Sequence, residues 1–149
     1  MNLKARRLVV ILVALSLVTP GMLWAQDRDE VAKMMNAGFD LLQKGNYREA
    51  QQVYEELLKK DPTQPLALNN LAAIMVKQGK YDRALGYLKQ ALSHAKGHRV
   101  TLNRVCDVEG VCAVCRMSEG QFGSEDLAAI LKSNILMVQM AKSSRSGAK

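Results

Sequence analysis

The sequence predicts a mostly α-helical chain in which two helix–turn–helix units stack, followed by a small β-hairpin and a closing helix. Three observations carry that expectation: a helix-favouring composition, an internal repeat of 34 residues, and a change of pattern after Gly97. Of the 149 residues, 48% are hydrophobic and only 5% aromatic, with ten Gly and three Pro. Ala, Leu, Met, Gln and Lys are abundant, and all are good helix formers. The length suits one domain rather than two.

The first 25 residues form a segment of a different class. Lys4, Arg6 and Arg7 make a basic start, and an apolar run from Leu8 to Leu15 continues after Ser16 through Leu17 and Val18. Thr19, Pro20 and Gly21 are expected to break a helix, and Leu23-Trp24-Ala25 offers a cleavage point before Gln26. Residues 1–25 thus read as a secretory signal peptide. The alternative is an uncleaved N-terminal membrane anchor, because Leu8 to Ala25 is eighteen residues and about 20 apolar residues span a bilayer. Both readings place the rest of the chain outside the cytoplasm, in the periplasm or a similar space, because positive residues stay inside. No Cys follows the apolar run, so a lipid anchor of the bacterial lipoprotein kind is not expected.

Removing the leader changes the charge. The formal +7 falls to +4 without Lys4, Arg6 and Arg7, leaving 18 basic residues against 14 acidic ones. Lys142, Arg145 and Lys149 supply most of that surplus, and elsewhere the signs alternate as on a solvated helix surface. A nucleic-acid partner has little support.

Residues 31–64 align with 65–98 without a gap, and such a repeat determines the architecture. Asn36 falls on Asn70, Gly45 on Gly79, Tyr47 on Tyr81, Ala50 on Ala84 and Leu58 on Leu92. Apolar residues at Met34, Ala37 and Leu41, and at Leu68, Leu71 and Met75, recur at three- and four-residue steps and predict one helical stripe per unit. Gly38 and Ala72 are small enough to admit a neighbouring helix. Gly45 and Gly79 can take the left-handed conformation that ends a helix. Tyr47, Ala50, Tyr54 and Leu57, and Tyr81, Ala84, Leu88 and Ala91, then make the stripe of a second helix. Asp61-Pro62 closes the first unit, whereas Lys96-Gly97 ends the second, with Gly97 as the breaker. Neither unit can bury both faces alone, so the two must stack.

These residues resemble the tetratricopeptide repeat family over 68 of the 149 residues. The resemblance implies a short α-solenoid whose first helices line a concave surface for a partner segment. By position, that surface comprises Met35, Asn36, Phe39, Leu42 and Gln43 from the first unit, and Asn69, Asn70, Ala73, Val76 and Lys77 from the second. Asn36 and Asn70 are the informative pair, since an amide both donates and accepts and can hold an extended backbone. Some members of the family clamp a partner's C-terminal carboxylate with groove cations. The corresponding residues here, Met35 and Asn69, carry no charge, which disfavours that mode. Phe39, Leu42, Ala73 and Val76 suggest an apolar floor, suited to an apolar partner segment or to the C-terminal helix of the same chain.

Beyond Gly97, residues 100–106 and 111–115 alternate in hydropathy and are β-branched, and Asp107-Val108-Glu109-Gly110 has turn chemistry. A hairpin with Val108-Glu109-Gly110 in its loop pairs Asp107 with Val111 and Cys106 with Cys112. Three Cys in an exported chain suggest one disulfide and one spare thiol. Cys106–Cys112 follows from the register, and Cys112–Cys115 is the alternative. The setting for CxxC redox catalysis is absent, and Arg116 stands where haem attachment needs His. A zinc site of Cys106, Cys112, Cys115 and His94 or His98 has the ligand types but irregular spacing. No cofactor is expected.

Gly120 to Gly123 reads as a loop, and Ser124 as the cap of a final helix over residues 124–142, with Glu125 and Asp126 in its first turn. Leu127, Ile130, Leu131, Ile135 and Val138 form the stripe that seals the stack, and residues 143–149 read as a disordered tail. No Ser/His/Asp set or phosphate loop occurs, so a non-enzymatic scaffold of the cell envelope is expected, by family analogy an accessory of a pilus or secretion assembly. A periplasmic thiol-redox or metal-binding protein using Cys106, Cys112 and Cys115 is the alternative. Self-assembly through exposed repeat ends is a third possibility.

Overall fold

Two glycines set the rhythm of the chain. A computed structural model describes residues 20–97, 99–108, 111–117 and 124–147, with side chains described for 29–97, 111 and 126–147. The described residues form α1 (Pro20–Gln43), α2 (Tyr47–Lys60), α3 (Pro65–Lys77), α4 (Tyr81–His94), β1 (Arg99–Val108), β2 (Val111–Met117), β3 (Ser124–Asp126) and α5 (Leu127–Ser146). Two units are distinguished, Met1–Ala32 and Lys33–Lys149, and the packing described below lies in the second. The fold is mostly helical, with the helical hairpins of a tetratricopeptide-like repeat. Among the described residues, no helix is long and apolar enough to cross a membrane.

Gly45 has φ +78° and Gly79 has φ +71°, a backbone that side chains with a Cβ rarely adopt. Each glycine closes its helix in the same way. Gly45 N–H donates to Leu42 O and Asn46 N–H to Leu41 O, while Gly79 N–H donates to Val76 O and Lys80 N–H to Met75 O. These paired bonds satisfy carbonyls the helix end leaves open and reverse the chain. Between the units, Asp61 Oδ1 accepts from Thr63 N–H at 3.1 Å and from its hydroxyl at 2.9 Å. Pro65 then opens α3, where its missing N–H costs no helical bond.

Pro20 likewise stands at the first described position of α1, and α1 runs across the expected cleavage point at Ala25–Gln26. Residues 1–19, the rest of the expected signal peptide or anchor, lie outside the described residues.

The second helices bury Ala50, Tyr54 and Leu57 of the expected stripe in α2, where Tyr47 is only half-buried, and all of Tyr81, Ala84, Leu88 and Ala91 in α4. In α1 the buried face is shifted by one residue. Met35, Gly38, Phe39 and Leu42 are buried, Met34 and Leu41 are half-buried, and Ala37 is exposed. Gly38 is where the first hairpin closes, because a Cβ there would lie 2.8 Å from the Tyr54 ring. α3 is the centre of the molecule. Every residue from Pro65 to Val76 is buried, with α2, α4 and β2 packed around it.

The strands order as β2-β1-β3, all neighbours antiparallel. The expected turn is displaced: Val108, placed in the loop by sequence, pairs with Val111, and residues 109–110 lie outside the described residues. Arg104 pairs with Val114 and Val105 with Ala113. From Val105 to Val108 β1 advances three residues while β2 advances two, so the extra residue lies on β1. Ser124 is no helix cap. It pairs with Thr101 in β3, and Asp126 caps α5 by accepting from Ala128 N–H at 3.0 Å. Of the expected disordered tail, residues 143–146 are helical, because α5 continues to Ser146. α5 packs on α4, β2 and β3.

Candidate partner-binding site

The ten positions expected to line a groove divide sharply once their surroundings are known. Met35, Phe39 and Leu42 on α1 are buried, and Asn69, Asn70, Ala73 and Val76 on α3 are fully buried. Asn36 is half-buried, and Gln43 and Lys77 are exposed. The groove face of α3 is therefore inside the protein. β2 and α5 of the same chain supply its cover: Val111 of β2 is fully buried, and α5 reaches Asn69 directly.

That contact is polar. Asn134 Nδ2 donates to Asn69 Oδ1 at 2.8 Å, Asn69 Nδ2 to Asn70 Oδ1 at 3.2 Å, and Asn70 Nδ2 to Tyr54 Oη at 3.0 Å. The three asparagines are buried, so the chain of bonds replaces water that each amide would otherwise need. It links α5, α3 and α2 across the interior. Asn70, expected to hold a partner's backbone, spends its amide inside the fold. Sequence reading missed Asn134 altogether. The signal was its position, three residues after Leu131 and four before Val138 on the buried stripe; Ile135, assigned to that stripe, is half-buried.

The surface left at the ends of the first helices is a turn edge. Gln78 Nε2 donates to Gln51 Oε1 at 3.0 Å, and Lys77 Nζ stands 5.8 Å from the centre of the Tyr47 ring. These contacts bring the two glycine turns side by side. Lys80 Nζ donates to Gln78 Oε1 at 2.8 Å. Arg145, near the end of α5, lies over Tyr81 at 5.4 Å, and its Nη1 would be 3.5 Å from a Cβ at Gly79. Lys142 pairs with Asp82 on the same flank. Lys44, Lys77, Lys80 and Arg145 are all exposed, so this edge concentrates positive charge.

The side chains of Cys106, Cys112 and Cys115, and His98, lie outside the described residues, and His94 is exposed near the end of α4. The backbone still constrains the cysteines. Cys112 faces the Cys106–Asp107 bulge, since its neighbours pair with Val108 and Val105. Cys112 and Cys115 are three residues apart on the one strand β2. Among the described residues, no group of three His, Cys, Asp or Glu side chains is placed to hold a metal.

The sequence model of the tetratricopeptide repeat family matches residues 41–101, from the last turn of α1 into β1. No solved structure matches the chain.

Proposed function

The chain belongs to the tetratricopeptide repeat family over residues 41–101, and on that premise we propose that it is an exported scaffold of the cell envelope that holds a protein partner along its basic turn edge. Repeats of this family generally mediate protein–protein interaction. The observation that carries the choice of surface is the burial of α3. With Asn69, Asn70, Ala73 and Val76 inside, only Asn36, Gln43 and Lys77 of the expected groove remain at or near the surface. Lys44, Lys80 and Arg145 extend that remnant, and this charge favours an acidic or carboxylate-bearing segment. Export rests on the basic start and apolar run of the first 25 residues. A role beside a pilus or secretion assembly rests on family analogy.

The register of β1 and β2 supports a Cys106–Cys112 disulfide over the alternatives. Residues three apart in a strand stand about 10 Å apart, beyond the ~7 Å Cα separation a disulfide spans. Cys112–Cys115 pairing is therefore disfavoured. The scaffold reading is preferred to CxxC thiol chemistry for that reason.

Charge reversal tests the surface. Proteins captured from envelope extracts by wild type and by a Lys77→Glu/Lys80→Glu variant are compared, and retained partners are titrated. Losing two attractive contacts and adding two repulsive ones is expected to weaken binding at least tenfold, with wild-type binding falling as salt rises. Equal affinity in the variant, at unchanged helical content, would move the partner away from the turn edge.

A further inference from the structure

We propose that the basic turn edge reads spacing as well as charge: its cations form a three-rung ladder for an extended partner segment with an acidic residue at every third position. The inference rests on the reading of that edge as the partner site and concerns how the segment is recognised there.

The rungs are helix ends. Lys44 follows α1 directly, Lys77 ends α3 with Lys80 just beyond it, and Arg145 lies in the last turn of α5. Side-chain contacts place these ends in a row. Lys77 stands over Tyr47, the first residue of α2, and Gln78 reaches Gln51 of the same helix. Arg145 stands over Tyr81, the first residue of α4, with its Nη1 beside Gly79. Tyr47 and Tyr81 are equivalent positions of the 34-residue repeat. The end of α5 thus stands to the second unit as the end of α3 stands to the first. α5 also runs alongside α3 in the same direction, from the Asn134–Asn69 bond to the Arg145–Gly79 contact.

Three of these four cations are anchored by another side chain: Lys77 by the Tyr47 ring, Lys80 by Gln78 Oε1 at 2.8 Å, and Arg145 by the Tyr81 ring. A long cationic side chain ordinarily loses rotamer freedom when it takes a partner, and anchoring meets part of that cost beforehand. All four remain exposed. An arginine stacked on a ring keeps its planar fork of N–H donors, which matches a carboxylate. Of the acids nearby, Asp82 pairs with Lys142, Glu49 is balanced by its neighbour Arg48, and Asp40 lies one turn back from Lys44. The row keeps a net positive charge.

Geometry then sets the segment. Packed helices lie about 8–10 Å apart, so the rungs recur at about that interval. In a polyproline-type extended chain, residues three apart fall on one side, about 9 Å from each other. Acidic residues at every third position therefore meet successive rungs. Adjacent acids point to different sides and crowd a single rung.

The test uses two end-blocked peptides of one composition, Glu-Pro-Pro-Glu-Pro-Pro-Glu and Pro-Pro-Glu-Glu-Glu-Pro-Pro. Each is titrated at low salt into the isotope-labelled full chain as cells process it, and binding is read from NMR shifts at Gly45, Gly79 and Arg145. The spaced peptide is expected to bind at least about fourfold more tightly, since each further rung adds about two- to fivefold. In Arg145→Gln that ratio is expected to fall by the factor of one rung, with the helical circular dichroism unchanged. A mere loss of positive charge would weaken both peptides alike and leave the ratio standing. If Arg145→Gln fails to fold, Lys44→Gln removes the rung at the other end of the ladder and is expected to lower the ratio likewise. Equal binding of the two peptides by wild type would overturn the ladder while leaving an edge that binds acids. Binding of neither, or shifts only elsewhere in the chain, would overturn the acidic-partner reading with it. An unchanged ratio in a folded variant would take that helix end out of the ladder and overturn the three-rung proposal.

Discussion

Gly38 and Tyr54 show how one residue can decide whether two helices meet. The Tyr54 ring is fully buried and accepts from Asn70 at its hydroxyl, so it cannot swing aside when a methyl group arrives 2.8 Å away. Gly38→Ala is therefore expected to destabilise the fold by about 1–3 kcal/mol through overpacking. That outweighs the ~0.5–1 kcal/mol that alanine ordinarily gains over glycine inside a helix. Gly86, exposed in α4 with open space around it, isolates the second term, and Gly86→Ala should stabilise by that smaller amount. Urea melts of both variants check the opposite signs; a stabilised Gly38→Ala would mean that the α1–α2 approach is looser than the structure has it. The small residue at position 38 and its role were legible in the sequence. The tyrosine it faces and the amide holding that tyrosine were not, because a 34-residue period reports equivalence between units and says nothing of which neighbours touch.

At the scale of elements, the sequence located the turns and the second helices and misjudged the first helix and the segment after the repeats. The glycine turns, the Asp61-Pro62 break and most of the buried stripes of α2 and α4 lie where expected. The buried face of α1, although part of the repeat, is offset because nothing in a local pattern says which neighbour a first helix will meet. Ser124 joined β1 as β3 because an extended backbone can complete a sheet edge as readily as it can precede a helix. The cysteine strands carry the next prediction. Peptide mapping of protein recovered from cells is expected to find Gln26 as the first residue, a linked Cys106–Cys112 pair, and Cys115 as a free thiol. Cleavage there would shorten α1 by six residues, all of them within the first unit. A peptide retaining Lys4 would replace the signal peptide by an anchor. A Cys112–Cys115 link would require β2 to abandon its extended form.

At the scale of the whole molecule, the question is what makes two repeats sufficient. A solenoid of two units exposes too much of its last first-helix, and here β2 and α5 cover α3 from the side where a partner was expected. Family position assigned Asn69, Asn70, Ala73 and Val76 to a groove, but their burial was not legible, since its polar part depends on contacts between residues some 65 positions apart. The asparagine chain makes that closure specific. An apolar helix alone can slide along an apolar face, whereas Asn134 finds its amide partner in one register only, a device buried polar residues serve elsewhere. A double-mutant cycle tests this. Asn134→Ala removes the 2.8 Å bond to Asn69 and is expected to cost about 1–3 kcal/mol, the desolvation cost of a buried polar partner left behind. Asn69→Ala should cost more, because Asn69 also donates to Asn70. If the two amides act on each other, the double variant should fall short of the sum of the singles by about 0.5–3 kcal/mol. Additive losses within error would mean that each asparagine serves its own surroundings and that α5 is held by its apolar stripe alone. A coupling of the expected size would make this one hydrogen bond the clasp that sets the register of α5 against α3.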